Sequence, residues 1–208
     1  MSIANLADLL VDFGHYPPER IRLDARPGRA TEKDVLRIER KEGKHCELID
    51  GVLVEKTMGF RESLVAQEVN RRVGNYVAER KLGVVATADG SVRLFPRQIR
   101  IPDGAFYSWD QMPGRKAPKD PIPDLYPDLA IEVLSESNTQ AEMKRKLKDY
   151  FFAGTRLVWY IDPDSRTAQM FTAPDQITTL TEADDLTGGD VLPEFKLNLG
   201  ELFAAAGV

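Results

Sequence analysis

The chain has 208 residues, of which 42% are hydrophobic and 29% are charged, so its composition is that of a globular protein and not of a disordered or collagen-like one. The net charge of −5 argues against a general nucleic-acid-binding protein, and one cysteine with two histidines excludes an internal disulfide and a cysteine–histidine zinc site. No run of about 18 apolar residues occurs, and no basic stretch precedes the first apolar one. We therefore expect a cytoplasmic protein with no membrane partner.

The charge is distributed unevenly along the sequence. Residues 91–119 contain six basic residues against two acidic ones, whereas residues 175–208 contain seven acidic residues and one lysine. The acidic C-terminal segment therefore accounts for the sign of the net charge. The locally basic centre is compatible with a phosphate-bearing ligand.

The predicted elements begin with a short amphipathic helix at 2–13 and an irregular, proline-containing lead-in at 17–30. Thr31 and Asp34 have the spacing of a capping box and predict a helix that ends near Gly43. The pair Asp50-Gly51 lies between two apolar-rich runs, which predicts a β-hairpin over 45–55.

Two long helices and a series of strands are predicted in the rest of the chain. Apolar residues at helical spacing predict the first long helix at 61–80, and the second is predicted at 138–154 with Gly154 as its stop. Short apolar runs predict strands at 84–87, 91–95, 99–109, 128–134, 157–161 and 167–172. This order indicates an α/β or α+β domain with helices on both sides of one mixed sheet.

Several familiar catalytic motifs are absent. The sequence has no phosphate-binding GxxxxGK[ST] loop, no GxGxxG after a strand and no GxSxG, and its two histidines leave little room for a serine–histidine relay. Cys46 lies next to His45 in a predicted strand, where neighbouring side chains point to opposite faces. We interpret Cys46 as a packed thiol. Carboxylates therefore remain as the main candidates for chemistry.

Asp103 and Glu132 are acids in strands that are otherwise apolar. Asp103 follows Ile99–Pro102 and could be a strand-end acid, because a proline cannot donate to a sheet, or a functional one. Glu132 lies in the run LAIEVL, where both neighbours are apolar, and this context favours a functional role over an outward-facing position.

Three further charged residues are candidates for the same site. Lys146 flanks the apolar stripe of the second long helix, a position from which lysines usually reach solvent. Glu62 begins the buried stripe of the first long helix, where it could also complement the helix dipole. Glu47 lies in the first hairpin strand, as either a rim acid or a site acid. Clustered carboxylates beside a lysine suit divalent-metal chemistry with Mg²⁺ or Mn²⁺.

These residues resemble the PD-(D/E)xK nuclease superfamily, and more closely its Uma-two branch of restriction-endonuclease-like proteins. The resemblance covers roughly residues 30–175. It rests on the ordered stretches CELIDGVLVEK (46–56), RIPDGAFYSW (100–109), LAIEVLSESNT (129–139), KRKLKDYFFAG (144–154) and LVWYIDP (157–163). It implies a restriction-endonuclease-like fold in which 1–30 form an N-terminal helical extension, 31–175 the nuclease-like core and 176–208 an acidic extension packed on that core.

The sequence departs from the superfamily pattern at two positions. The superfamily often has its lysine two residues after the glutamate, where this chain has Leu134. In the Uma-two branch the lysine lies on the following helix, four residues before a tyrosine, and Lys146 with Tyr150 fits that form. The branch also often has a histidine at the start of the first long helix, a place taken here by Glu62.

The resemblance implies metal-dependent hydrolysis of nucleic-acid phosphodiesters, most often in DNA. In that scheme Asp103, Glu132 and the Val133 carbonyl ligate the metal, and Glu62 helps to hold it. Lys146 positions the attacking water and Glu47 is an accessory acid. Cleavage of two strands would favour a homodimer. One alternative is a non-catalytic DNA-binding or interaction protein with the same fold, which the net negative charge favours slightly. A third possibility is hydrolysis of a small phosphodiester.

Overall fold

A computed structural model describes Asp8 and residues 16–208 of the chain. The helix predicted at 2–13 lies outside the described residues, apart from Asp8. Four α-helices are described: α1 (Glu32–Glu42), α2 (Phe60–Arg80), α3 (Gln140–Ala153) and α4 (Leu199–Ala206). None of the helices in this described part is long and apolar enough to cross a membrane.

A five-stranded antiparallel sheet forms one part of the fold. Its order is β1-β3-β2-β6-β5. The strands are β1 (Ile21–Arg22), β2 (Cys46–Ile49), β3 (Val52–Glu55), β5 (Val92–Phe95) and β6 (Gln98–Arg100). The predicted hairpin is confirmed as β2 and β3, because Asp50 and Gly51 adopt φ angles of 50° and 83°, which a tight hairpin turn requires.

A six-stranded mixed sheet forms the second part, in the order β11-β10-β9-β8-β7-β4. Its strands are β4 (Gly83–Thr87), β7 (Gly104–Ser108), β8 (Leu129–Val133), β9 (Leu157–Asp162), β10 (Thr167–Ala173) and β11 (Gln176–Leu180). Strands β8 and β9 are parallel and are joined through α3, whereas the other neighbours are antiparallel. A hairpin of β12 (Asp185–Gly188) and β13 (Leu192–Asn198) precedes α4.

The α/β class with helices on a mixed sheet is confirmed, but two details of the prediction are wrong. The strands form more than one sheet, and the single strand predicted at 99–109 is two strands, β6 and β7, in different sheets. Pro102 lies at the break, where it cannot donate a ladder hydrogen bond. The chain therefore leaves the first sheet and enters the second at Ile101–Asp103.

The two long helices cover opposite faces of the six-stranded sheet. The valines of α2 pack with Leu129, Ile131 and Trp159 in the largest apolar cluster. Met143, Leu147 and Tyr150 of α3 pack with Ala130 and Val158 on the other face. Because side chains alternate along a strand, Glu132 shares the face of Ala130 and points toward α3. Glu132 therefore contacts side chains of α3, which covers the face opposite to α2.

Candidate active site

All five residues selected from the sequence line one cavity between the two sheets. Glu47 comes from β2, Glu62 from the first turn of α2, Asp103 from the β6–β7 break, Glu132 from β8 and Lys146 from α3. The cavity is also lined by residues from the lead-in, the β3–α2 connection, the end of β8 and the β8–α3 connection, namely Arg20, Lys56, Thr57, Met58, Val133, Ser135 and Asn138.

Strand pairing places Asp103 beside Glu132. Gly104 pairs with Ile131 in the antiparallel ladder of β7 and β8, so one further step of the same register sets Asp103 opposite Glu132. Directly opposed side chains in such a ladder have Cβ atoms about 5 Å apart. The Val133 amide donates to Oδ2 of Asp103 at 2.8 Å, which fixes the Asp103 carboxylate against the end of β8.

Asp103 is held from two further sides. Nδ2 of Asn70, on α2, donates to the Asp103 carbonyl at 2.8 Å. Nζ of Lys56 lies 2.8 Å from Oδ1 of Asp103 and also donates to the Ile101 carbonyl. Asp103 and the Lys56 side chain are both largely buried. The acid is thus a strand-end residue, and its burial is compensated by a lysine.

Glu132 is bound by two residues of α3. Nζ of Lys146 donates to Oε2 of Glu132 at 2.8 Å, and the Tyr150 hydroxyl donates to Oε1 at 2.5 Å. Lys146 is 5% exposed and does not reach solvent, whereas Lys144 and Lys148 are exposed. The spacing of four residues between Lys146 and Tyr150 puts both on one helix face, above Glu132.

Glu47 connects Lys146 to a second group of charges. Its Oε1 lies 3.3 Å from Nζ of Lys146 and accepts from the Ile101 amide at 3.1 Å. Its Oε2 accepts from Nη1 of Arg100 at 2.6 Å. Arg100 is fully buried and also pairs with Asp149 on α3. Glu47 is therefore a buried acid between two cations and not a rim acid.

Burial and pairing shift the pKa values of these groups in different directions. Burial raises the pKa of the Glu132 carboxyl, and the Asp103 charge adds to this rise, while Lys146 opposes it. Burial would also raise the pKa of Glu47, but Lys146, Arg100 and Lys56 together hold it well below its usual range. Burial would lower the pKa of Lys146, but Glu132, Glu47 and Asp103 outweigh it and raise the pKa. The raised pKa favours the protonated form of Lys146 near neutral pH.

Glu62 lies at the edge of the cavity and is partly exposed. Its carboxylate folds back over Gly59, the residue that precedes α2, so closely that a Cβ at Gly59 would lie 2.1 Å from Oε2. Within the described ranges Glu62 forms no ion pair, which distinguishes it from the other three acids of the cavity.

Three charged residues of this region, Lys56, Arg20 and Glu142, were not predicted from the sequence to belong to the site. Lys56 ends the stretch CELIDGVLVEK, where a lysine that follows the last glutamate of a strand has no distinguishing pattern. Arg20 follows a proline pair, and its Nη1 lies 3.0 Å from Oε2 of Glu142. Glu142 is fully buried and lies one helical turn before Lys146. The four-residue spacing of Glu142, Lys146 and Tyr150 indicates a polar stripe on the buried face of α3, and this pattern can be read from the sequence.

Cys46 is buried, as its interpretation as a packed thiol requires. Burial raises the pKa of the thiol to about 11. The thiolate needed for nucleophilic attack is therefore scarce near neutral pH.

The oxygen atoms around Asp103 and Glu132 fit a divalent cation that takes few protein ligands. Within the described part of the chain, no group of three aspartate, glutamate, histidine or cysteine side chains is arranged to bind a metal ion. Two neighbouring carboxylates and a backbone carbonyl remain. That sparse oxygen set suits Mg²⁺, which keeps several waters and binds proteins through one or two carboxylates.

The chain is similar to one solved structure and to one protein family. The crystal structure of a putative nuclease belonging to DUF820, from Anabaena variabilis ATCC 29413, has 21% sequence identity and a TM-score of 0.69 to this chain, with 78% of this chain and 91% of that chain covered. This likeness shows the fold. No curated protein matches the sequence. The model of the Uma2 family, described as "Putative restriction endonuclease", matches residues 33–200. Because that match spans most of the sequence, the chain belongs to the Uma2 family.

Proposed function

We propose that this protein is a Mg²⁺- or Mn²⁺-dependent endonuclease that hydrolyses phosphodiester bonds, in DNA in the first instance. The observation that carries the proposal is the pair of buried carboxylates, Asp103 and Glu132, at adjoining strand ends with the Lys146 ammonium 2.8 Å from Glu132. Membership of a family described as restriction endonucleases supports the same chemistry.

Asp103, Glu132 and the Val133 carbonyl would hold the cation, with Glu62 at the open edge of the cavity available to a metal-bound water. Each carboxylate oxygen offers more than one lone pair, so the hydrogen bonds from Val133 and Tyr150 leave room for a ligand bond. When bound, the cation would lower the pKa of a water molecule and neutralise charge on a phosphate oxygen.

The other charged residues would orient the reacting groups. Lys146 remains protonated, so it would hold an attacking hydroxide or a phosphate oxygen by charge and would not act as a base. Glu47 and Glu132 hold the Lys146 ammonium from two sides. Arg100 neutralises Glu47 from the side that faces Asp149. The lysine is thus positioned before any substrate arrives.

A second function is favoured by one observation. Every carboxylate oxygen of Asp103 and Glu132 already accepts a hydrogen bond or an ion pair from this chain. A cluster that satisfies itself in this way would also suit a nucleic-acid-binding or interaction protein that keeps the fold without turnover. The net charge of −5 agrees with weak, sequence-independent affinity for a polyanion in either case.

A plasmid-nicking assay separates the two functions. We expect the purified protein to convert supercoiled plasmid to nicked and linear forms with Mg²⁺ or Mn²⁺ and not with EDTA. Glu132→Gln should abolish the conversion, and Glu201→Gln, at an exposed position on α4, should serve as its control. The same assay with labelled RNA shows whether the protein cleaves RNA as well as DNA. Sedimentation of the active protein tests whether it is a homodimer. Plasmid that stays supercoiled while it binds the protein would favour the non-catalytic alternative.

A further inference from the structure

A second, larger cavity opens beside the candidate active site. It has a volume of about 630 Å³ and lies between α3 and the face of β9, β10 and β11. Ser135 and Asn138 line both this cavity and the one that contains Asp103 and Glu132. Hereafter it is called the side pocket.

A surface groove joins the two cavities. The groove shares Thr57, Glu62 and Ser135 with the active-site cavity, and it shares Ser135, Glu136 and Asp164 with the side pocket. Ser135 lies three residues after Glu132, which an extended chain spans in about 11 Å. At a rise of about 3.4 Å per nucleotide, that distance corresponds to roughly three nucleotides of a strand.

The walls of the side pocket are apolar and aromatic. Met143 and Leu147 face it from α3, and Tyr160 and Phe171 face it from the sheet. The two rings lie 5.1 Å apart between centroids at an angle of 64°, and the Tyr160 hydroxyl is fixed by its bond to the Met143 carbonyl at 2.8 Å. Ile177, which is 51% exposed, completes the outer edge.

Polar side chains of the side pocket can form hydrogen bonds with a nucleobase. The amides of Gln140 and Gln169 make no hydrogen bond within the described part of the chain, and an amide can both donate to and accept from a base. Glu136 and Asp175 add acceptors of the kind that bind exocyclic amino groups.

The charge of the side pocket favours a base over a phosphate. Asp162 and Asp164 also line it, although Asp162 bonds to its own turn and Asp164 pairs with Arg61. This acidic lining repels a phosphate from the interior. Lys144, the single basic residue among those that line the pocket, is exposed, so a phosphate would remain outside with it.

We propose that the side pocket binds an unstacked nucleobase of the substrate strand, a few nucleotides from the phosphodiester at the Asp103–Glu132 pair. The proposal rests on the proposed nuclease function and adds a base-binding site to it. Contacts between a base and aromatic side chains tolerate any sequence, so the pocket would hold the strand without demanding a particular base.

Photo-crosslinking tests this site without any need for cleavage. The probe is a short single-stranded oligonucleotide of 5-iododeoxyuridine, which on irradiation forms bonds to aromatic side chains that touch the base. We expect mass spectrometry to place the crosslink on Tyr160 or Phe171. Gln169→Trp, which fills the pocket from β10, should reduce the crosslink yield at these two residues about tenfold. Ile177→Ala is a mild change at an exposed position and should reduce the same yield by a smaller factor. This variant tests the pocket even if Gln169→Trp misfolds.

Thr178→Trp is the matched control, because it adds the same side chain to β11 on the face opposite to Ile177. Its crosslink yield should equal that of the unchanged protein. Crosslinks that map elsewhere, or that are insensitive to Gln169→Trp and Ile177→Ala, would overturn the proposal. Free 5-iododeoxyuridine that crosslinks as well as the oligonucleotide would also overturn it, since the pocket would then bind a free nucleoside.

The nuclease proposal can fail independently of this one. Crosslinking at Tyr160 or Phe171 in a protein that never nicks plasmid would support the base pocket and contradict the nuclease. Nicking by a protein whose crosslinks avoid the side pocket would do the reverse.

Discussion

Three buried acidic residues of the candidate active site each form an ion pair with a basic side chain: Asp103 with Lys56, Glu132 with Lys146, and Glu47 with Arg100. Buried ion pairs are weak sources of stability, because the cost of removing two charges from water can exceed their attraction. An apolar cluster of the same volume would serve folding as well or better. We interpret the retained charges as part of the chemistry proposed above.

Replacement of Lys146 tests the lysine assignment. Lys146→Ala should lower any nuclease rate by at least about tenfold, or about 1.4 kcal/mol of barrier, because the ammonium that orients the reacting oxygen is lost. Mn²⁺ affinity should change little, since an ammonium is not a ligand. Single-turnover cleavage rates and Mn²⁺ titration provide the two readouts, and Lys146→Gln keeps a donor to Glu132 if the alanine variant is unstable.

Lys144→Ala and Lys148→Ala are the controls on the same helix, because both side chains are exposed. Each substitution should lower the affinity for DNA and reduce the salt dependence of binding. The cleavage rate of bound DNA should not change. Loss of turnover in Lys144→Ala, with an active Lys146→Ala, would show that the wrong lysine was assigned.

Glu47 should make stability depend on pH in the acidic range. Its folded pKa lies below the unfolded value of about 4.3, so its stabilisation is complete above about pH 4.3 and is lost as the pH falls through the folded pKa. Glu47→Gln should lower the free energy of unfolding near neutral pH by about 3 kcal/mol and flatten its decline below about pH 4.3. Urea denaturation across this range measures both effects.

Glu201→Gln, at an exposed position far along the chain, should leave that pH profile unchanged. A profile for Glu47→Gln that runs parallel to that of the unchanged protein would mean that the Arg100 and Lys146 contacts do not hold Glu47 ionised.

The β2–β3 hairpin carries Glu47 and leads directly to Lys56, so its turn affects both. A Cβ at Gly51 would lie 2.8 Å from the backbone of Gly28, and the residue has a φ of +83°. Gly51→Ala should therefore cost more than the roughly 1–2 kcal/mol of left-handed strain alone. Gly28→Ala has a similar φ of +79° with nothing within 4 Å and is the matched control. Equal losses in urea denaturation would contradict the backbone clash.

Local patterns predicted most helices and strands of the described chain, because caps, turns and apolar spacing act within a few residues. The capping box at Thr31, the Asp50-Gly51 turn and the stop at Gly154 all appear in the structure. The break at Pro102 was missed as a change of sheet, since which sheet a strand joins depends on distant partners. Lys56 was missed for the same reason, because only the fold brings it to Asp103.

At the scale of the whole molecule, the C-terminal residues contribute to the main core. Leu186, Leu192, Leu199, Leu202 and Phe203 are buried in the same cluster as the valines of α2. The predicted division into a core of 31–175 and an extension of 176–208 stays a prediction. Sequence composition alone marked this segment only as acidic, because its apolar residues are spread over short elements.

Truncation at the predicted boundary tests how far the extension stabilises the core. A chain that ends at residue 175 should lose cooperative unfolding, and Phe203→Ala should cost about 3–5 kcal/mol through the cavity it leaves. Thermal and urea denaturation measure both, with Ala204→Ser, exposed on the same helix, as the control. A truncated chain that unfolds cooperatively would show that residues 31–175 fold independently.

The central claim is that Asp103 and Glu132 together hold a divalent cation, and Mn²⁺ titration by calorimetry tests it most directly. We expect binding to the unchanged protein, loss of that binding in both Asp103→Asn and Glu132→Gln, and retention in Glu201→Gln, which is exposed on α4. The two loss variants should remain folded, because each amide keeps an oxygen for Lys56 or Lys146. Mn²⁺ binding that survives both substitutions, or that never occurs in the unchanged protein, would contradict the claim.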